Sequence, residues 1–251
     1  MDDQGMGFHP RGMTLVSDVS AARWIERSLQ ASDFGRVGSL ILEGFARYVR
    51  LLHPAHDSRG RRITWGEVAA WSGQPVHSEM AFERIAVPRE GFGGGSHPWS
   101  EQPLRGSLEE SDAAALAGFL TSFTGTPGRC FFAVWEGYGH LWPGGMAVLS
   151  RSGRKPQSPP GEVRGVERLA GVARKYILYA GPLSAVTSFF AGLWNASPNL
   201  WWPEDRTWCV ATDIDLDSTY LGGSEACIEA LRHDTRFEVL PTSRDAPVYP
   251  E

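Results

Sequence analysis

The sequence predicts an α+β fold in which a mostly antiparallel sheet is flanked by short helices. Helical segments come first, runs of β-branched and aromatic residues follow, and short helical stretches interleave with those runs. That order is characteristic of α+β architecture.

The elements follow in chain order. Asp18 or Ser20 is placed to cap a helix carrying Val19, Trp24, Ile25 and Leu29. Strands are expected at 37–42 and 45–52. Thr64-Trp-Gly-Glu67 has capping-box spacing, which satisfies orphan N–H groups at a helix start, and opens a helix near 65–72. Ser107-Leu-Glu-Glu110 reads the same way and opens one near 108–122, with Ala115, Leu116, Phe119 and Leu120 on one face. Further strands are expected at 129–136, 174–180, 207–216 and 236–240. Gly181-Pro182 opens a helix running through Phe190, with Pro in the first turn, where its missing N–H costs least.

The carboxyl-terminal third is the most patterned. Trp208, Val210, Thr212, Ile214 and Leu216 alternate with Cys209, Ala211, Asp213, Asp215 and Asp217. A strand here turns its more apolar set to the core and leaves a face that begins small and ends acidic. Gly222-Gly223 breaks the chain, Ser224 caps a helix bearing Ile228 and Leu231, and Phe237 and Val239 return as a strand.

Two stretches lack any periodic pattern: Pro88 to Gly106, around Gly91-Phe-Gly-Gly-Gly95, and Pro143 to Gly165, with Pro156, Pro159 and Pro160. They read as mobile surface loops. No change of fold type flanks either, so residues 1–251 read as a single globular domain with loops near 88–106 and 143–165.

Composition excludes several classes. The longest apolar runs, such as Cys130 to Trp135, fall far short of the ~18 residues of a membrane helix, so no membrane association is expected. The acidic start Met1-Asp2-Asp3-Gln4-Gly5 lacks the basic and apolar regions of a secretory signal, which makes a cytoplasmic location the expectation. Cys130, Cys209 and Cys227 form no C-x-x-C and read as buried free thiols. A net charge of −5 argues against general nucleic-acid binding. The 22 arginines against two lysines suit anion recognition, although a GC-rich genome produces the same bias. Charge is uneven: residues 201–234 carry eight acidic side chains against two basic, and 151–175 seven basic against two acidic.

Three groups of residues are candidates for chemistry. Asp213, Asp215 and Asp217 share one face of the expected strand, where crowded carboxylates would hold a cation or raise one another's pKa. Read as a calcium loop they fail, because Ser218 and Ser224 stand where Gly and Glu are needed. Glu136 joins them if strand 129–136 lies beside 207–216. His53-Pro-Ala-His56-Asp57 looks like a metal site, but Pro54 spoils helical ligand spacing and a surface turn is the simpler reading. Leu200-Trp201-Trp202-Pro203-Glu204-Asp205-Arg206 joins two indoles to a charged triplet. As a loop it would stack a planar or cationic ligand on Trp201 and Trp202 while Asp205 and Arg206 orient it. There is no P-loop, G-x-S-x-G or H-E-x-x-H, and no cofactor or metal is expected.

Pro198-Asn-Leu-Trp-Trp-Pro-Glu-Asp-Arg206, Ala211-Thr-Asp-Ile-Asp-Leu216, Ser218-Thr-Tyr220 and Gly222-Gly-Ser224, with Phe131-Phe-Ala-Val-Trp-Glu-Gly137 and Leu51-Leu-His-Pro-Ala55, resemble a group of uncharacterised actinobacterial proteins over most of residues 37–240. That resemblance implies no activity. The helix-then-strand layout is loosely similar to SUKH immunity proteins, whose sequence signature is missing. The expectation is a non-catalytic binding module that meets a protein or small ligand through Trp201, Trp202, Asp205 and Arg206. The alternative is an enzyme with Asp213, Asp215 and Glu136 as acid, base or metal ligands.

Overall fold

A computed structural model describes residues 10–26, 35–138, 165–171, 174–190 and 196–248. The expected loop at 143–165 lies almost entirely outside them, as does most of the basic 151–175 segment. The strands are β1 (Thr14–Leu15), β2 (Arg47–Leu52), β3 (Ala55–His56), β4 (Arg62–Ile63), β5 (Cys130–Trp135), β6 (Leu169–Ala170), β7 (Lys175–Gly181), β8 (Leu200–Pro203), β9 (Trp208–Ala211), β10 (Ser218–Gly223) and β11 (Glu238–Thr242). Nine form one sheet, ordered β1-β7-β5-β8-β9-β10-β2-β11 with β6 also paired to β7, and β3 and β4 form a separate ribbon. The paired strands run antiparallel. Helices α1 (Trp65–Ser72), α2 (Phe82–Ile85), α3 (Glu110–Leu120) and α4 (Glu225–Arg232), with a 3-10 segment at Leu183–Phe190, flank the sheet. The class is α+β, as the sequence predicts.

The sheet is buried on both faces. On one, α3, α4 and the 183–190 segment cover Leu51, Phe132, Trp201, Trp208 and Val210. On the other, Val19, Ile25, Val37, Ile41 and Val248 cover Phe131, Trp202, Cys209 and Ala211. The alternation in 208–211 is therefore real, yet its small side is also interior. A third cluster sits beyond the end of β2, where Leu52, Ala55 and Ile63 pack under Trp65 and Phe82. Burying each such large side chain contributes about 1.5–3 kcal/mol.

Local signals held where their partners are near in sequence. Thr64 caps α1 with both halves of the capping box formed, and Gly73 ends it in the left-handed region at φ 72. Ser224 caps α4 by accepting the Cys227 N–H. Four expectations need correction. Ser107 does not cap α3, which starts at Glu110 after an N-cap Glu109 that makes no side-chain cap bond. The Ser107 hydroxyl donates to the Leu108 carbonyl and its oxygen accepts the Ser197 N–H. Residues 37–42 are not a strand: Val37–Ser39 is a 3-10 turn, and the Ile41 N–H returns to the Val37 carbonyl at 2.9 Å. The run 207–216 ends as a strand at Ala211 and turns, the Asp215 N–H donating to the Asp213 carboxylate at 3.0 Å. Finally, Gly222 and Gly223 do not break the chain. They lie inside β10, paired to β2 on one side and β9 on the other. A Cβ at Gly222 would stand 2.5 Å from the Phe45 ring, so only glycine admits that ring.

Candidate functional site

The four residues expected to bind a ligand do not share a surface. Trp201 and Trp202 are consecutive in β8, so they point to opposite faces, and both are completely buried. Trp201 stacks on Phe132 and meets Trp208 edge-on, whereas Trp202 stacks on Phe131 and meets Trp24 edge-on. Both are core residues of a strand, because β8 is paired to β5 and β9. Asp205 and Arg206 lie in the turn that follows and reach solvent. Asp205 is occupied: its carboxylate accepts the Thr124 hydroxyl at 2.8 Å, the Gly125 N–H at 2.7 Å and the Thr207 hydroxyl at 3.0 Å. Partial burial pushes its pKa up, but these bonds outweigh it and hold the carboxyl below its ordinary value. Arg206 takes φ 58, a left-handed conformation otherwise reserved to glycine among the described residues, and lays its guanidinium over Trp24 at 5.1 Å.

The candidate catalytic carboxylates lie at one end of the sheet, each held by an arginine. Arg174 donates through Nε to Asp213 at 2.9 Å and through Nη2 to Asp215 at 2.6 Å, with its guanidinium over Trp135 at 5.4 Å. Glu136 instead accepts from Arg168 Nε at 3.0 Å. β5 is separated from β9 by β8, so the expected neighbour relation is replaced by these arginine links. Asp217 lies elsewhere, 3.7 Å from the buried Arg50; burial raises its pKa against the pull of that guanidinium. Among the described residues no group of three or more His, Cys, Asp or Glu is arranged to hold a metal ion. The three thiols are buried and pushed up to about 12 by burial, which leaves them protonated and unreactive.

The histidine pair is only partly a surface turn. Asp57 does close a turn, accepting the Arg59 and Arg61 N–H groups. His53, however, is buried. Its Nδ1 lies 2.6 Å from the Leu104 carbonyl, which only accepts, so Nδ1 carries the proton. Nε2 must then accept from Thr219 Oγ1 at 2.9 Å, and Thr219 in turn accepts from Thr212 at 2.7 Å. The chain of donors has one direction and keeps the imidazole neutral. Burial pushes the His53 pKa down to about 4. His56 is half-buried, its Nε2 3.3 Å from a Glu109 carboxylate oxygen.

The sequence reading missed a cleft of about 740 Å³ between β4, α3 and the start of β11. Leu52, Pro54, Ala115 and Phe237 form its apolar wall, and Arg62, Asp112, Arg236 and Glu238 contribute its charges. His56 and Arg62 are opposite each other on the β3–β4 ribbon. They meet Glu109 and Asp112, one helical turn apart at the start of α3. Asp112 is almost completely buried and takes both terminal nitrogens of Arg62. Arg236 is fixed by Asp234 at 2.6 Å and lies over Phe237. Glu238 accepts the Trp65 N–H at 2.6 Å and the Gly66 N–H at 2.8 Å at the start of α1; burial raises its pKa while those bonds lower it. One sequence signal pointed here: Leu108, Asp112, Leu116 and Leu120 recur at helical spacing, so Asp112 is a charge set in a buried stripe.

With this geometry established, comparison with known proteins adds nothing to it: no protein-family model, curated protein or solved structure matches the chain.

Proposed function

We propose that the protein is a cytoplasmic, non-catalytic binding module that takes a small polar ligand in the cleft beside α3, rather than on the indoles of β8. One observation supports this most: the charged groups of the cleft are already paired, Arg62 with Asp112, Arg236 with Asp234 and Glu238 with the first N–H groups of α1. Such groups are held rigidly in advance, which favours recognition. Groups bound in this way are poorly suited to give and take protons, as acid–base catalysis requires. The walls carry both signs beside an apolar floor. Because those charges are already compensated within the protein, a neutral or zwitterionic molecule fits the cleft better than a bare ion, whose own charge would find no free partner. The volume suits a ligand of drug-like size.

The test is calorimetric titration of the whole chain with a panel of amino acids, sugars and nucleosides, beside an Ala115→Trp variant that fills the cleft. A ligand bound by the wild type should lose at least about tenfold in affinity in the variant, with the unliganded melting temperature retained. Equal binding to both proteins places the site elsewhere. Conversion of the ligand to product would establish the enzyme reading, with Asp112 as the first residue to replace.

A further inference from the structure

Each charged side chain in the cleft wall already has a partner. Arg62 gives both terminal nitrogens to the buried Asp112, and Arg236 gives Nε and Nη2 to Asp234. The two Glu238 oxygens each accept one backbone N–H, from Trp65 and from Gly66. What the wall still offers is uncharged or half-used. The hydroxyls of Ser111, in the first turn of α3, and of Thr235, just ahead of β11, line the cleft, lie on exposed residues and bond to nothing among the described residues. Arg236 keeps its Nη1 donors, and each Glu238 oxygen keeps a second lone pair.

These open valences select a chemical class. An amino acid brings a carboxylate and an ammonium group, and neither meets an unpaired opposite charge here; removing both from water without one is costly. A nucleobase calls for an open aromatic face. Among the described residues Phe237 alone is an aromatic lining the cleft, it is buried, and the Arg236 guanidinium covers its ring at 5.5 Å. Leu52, Pro54 and Ala115, the rest of the apolar wall, are aliphatic. A sugar matches both parts of this surface. Its hydroxyls donate and accept at once, which suits the free hydroxyls and the half-used Arg236 and Glu238 groups, and its C–H faces lie against aliphatic carbon.

We infer that the cleft takes a neutral saccharide, held by hydrogen bonds to Ser111, Thr235, Arg236 and Glu238 with its carbon faces against Pro54 and Ala115. This rests on the cleft being the binding site and narrows its ligand from a small polar molecule to one class. The volume of about 740 Å³ lies within the range of drug-sized ligands, which leaves room for a second linked ring.

The test is calorimetric titration of the whole chain with glucose, galactose, mannose, cellobiose and lactose, beside glucuronate and galacturonate as charged counterparts of the same rings. At least one neutral sugar should bind with a Kd of about 1 mM or tighter. That Kd should change less than about twofold between about 0.05 and 1 M sodium chloride, since no net charge is there to be screened. The charged counterparts should bind at least about tenfold more weakly. Ser111→Ala and Thr235→Val should each weaken the sugar about threefold to tenfold, with the urea midpoint retained because neither hydroxyl bonds to the protein. The saccharide is overturned if no neutral sugar binds at about 10 mM, if a charged counterpart binds more tightly, or if both hydroxyl variants bind like wild type. An amino acid or nucleoside that binds the wild type and is lost in Ala115→Trp overturns the saccharide and leaves the cleft standing. A sugar that binds Ala115→Trp as tightly as wild type overturns the cleft itself, and the saccharide assignment with it.

Discussion

Trp202 and Trp99 each sit beside a proline with a glutamate two residues on, yet Trp202 and its neighbour Trp201 are sealed in the interior while Trp99 and its ring partner Trp71 stay partly open. The difference lies in the backbone. β8 has a strand on each side and a layer over each face, so neither of its indoles can reach solvent. Trp71 ends a helix and Trp99 lies in a loop, with cover on one side only. Tryptophan content therefore does not locate a recognition face; backbone pairing decides which rings remain available.

The largest test of this contrast is Trp202→Ala. Removing a fully enclosed indole should cost about 3–5 kcal/mol, read as a lower urea midpoint, and Trp201→Ala should match it. A loss below about 1 kcal/mol would mean that β8 is not interior. Next comes the proton balance of His53. Its folded pKa of about 4 lies below the ordinary 6.5, so the unfolded chain binds the proton more readily between those values. The contribution is complete above pH 6.5 and is lost as pH falls toward 4, at about 1.4 kcal/mol per pH unit and about 3 kcal/mol in all. Urea unfolding of wild type and His53→Gln across that range should differ in slope by this amount. A smaller effect belongs to Arg206. Its alanine variant should lose about 0.5–1 kcal/mol of cation–π contact with Trp24 and keep the strained backbone. Arg206→Gly should be the more stable of the two, because glycine relieves that strain. Smallest of all, Phe92→Ala should shift stability by no more than about 0.5 kcal/mol, in contrast to the β8 indoles.

What could be read in advance was whatever needs only near neighbours. Thr64 and Glu67 define the start of α1 by themselves, Ser224 does so for α4, and the apolar runs of β2, β5 and β7 gave their places within a residue or two. The rest depended on distant partners. Val37 and Ile41 look like strand residues until a helical turn points both at the same layer. Gly222 looks like a break until the Phe45 ring occupies the space its missing side chain leaves. The cleft draws Arg62, Asp112 and Glu238 from three separate stretches, and of these only Asp112, inside its leucine stripe, gave a local hint.

The position of β2 has a consequence for how the chain comes into being. Its two ladder partners are β10 and β11, both near the far end of the sequence. A ribosome adding roughly 5–20 residues per second leaves a finished β2 without either neighbour for on the order of ten seconds. In that interval Val49 and Leu51, fully enclosed in the finished fold, have no native strand to lie against. The amino-terminal half cannot complete its folding ahead of the rest, and a chaperone or transient non-native packing has to shield it. Stalled translation before residue 218 would leave an aggregation-prone nascent chain rather than a folded fragment.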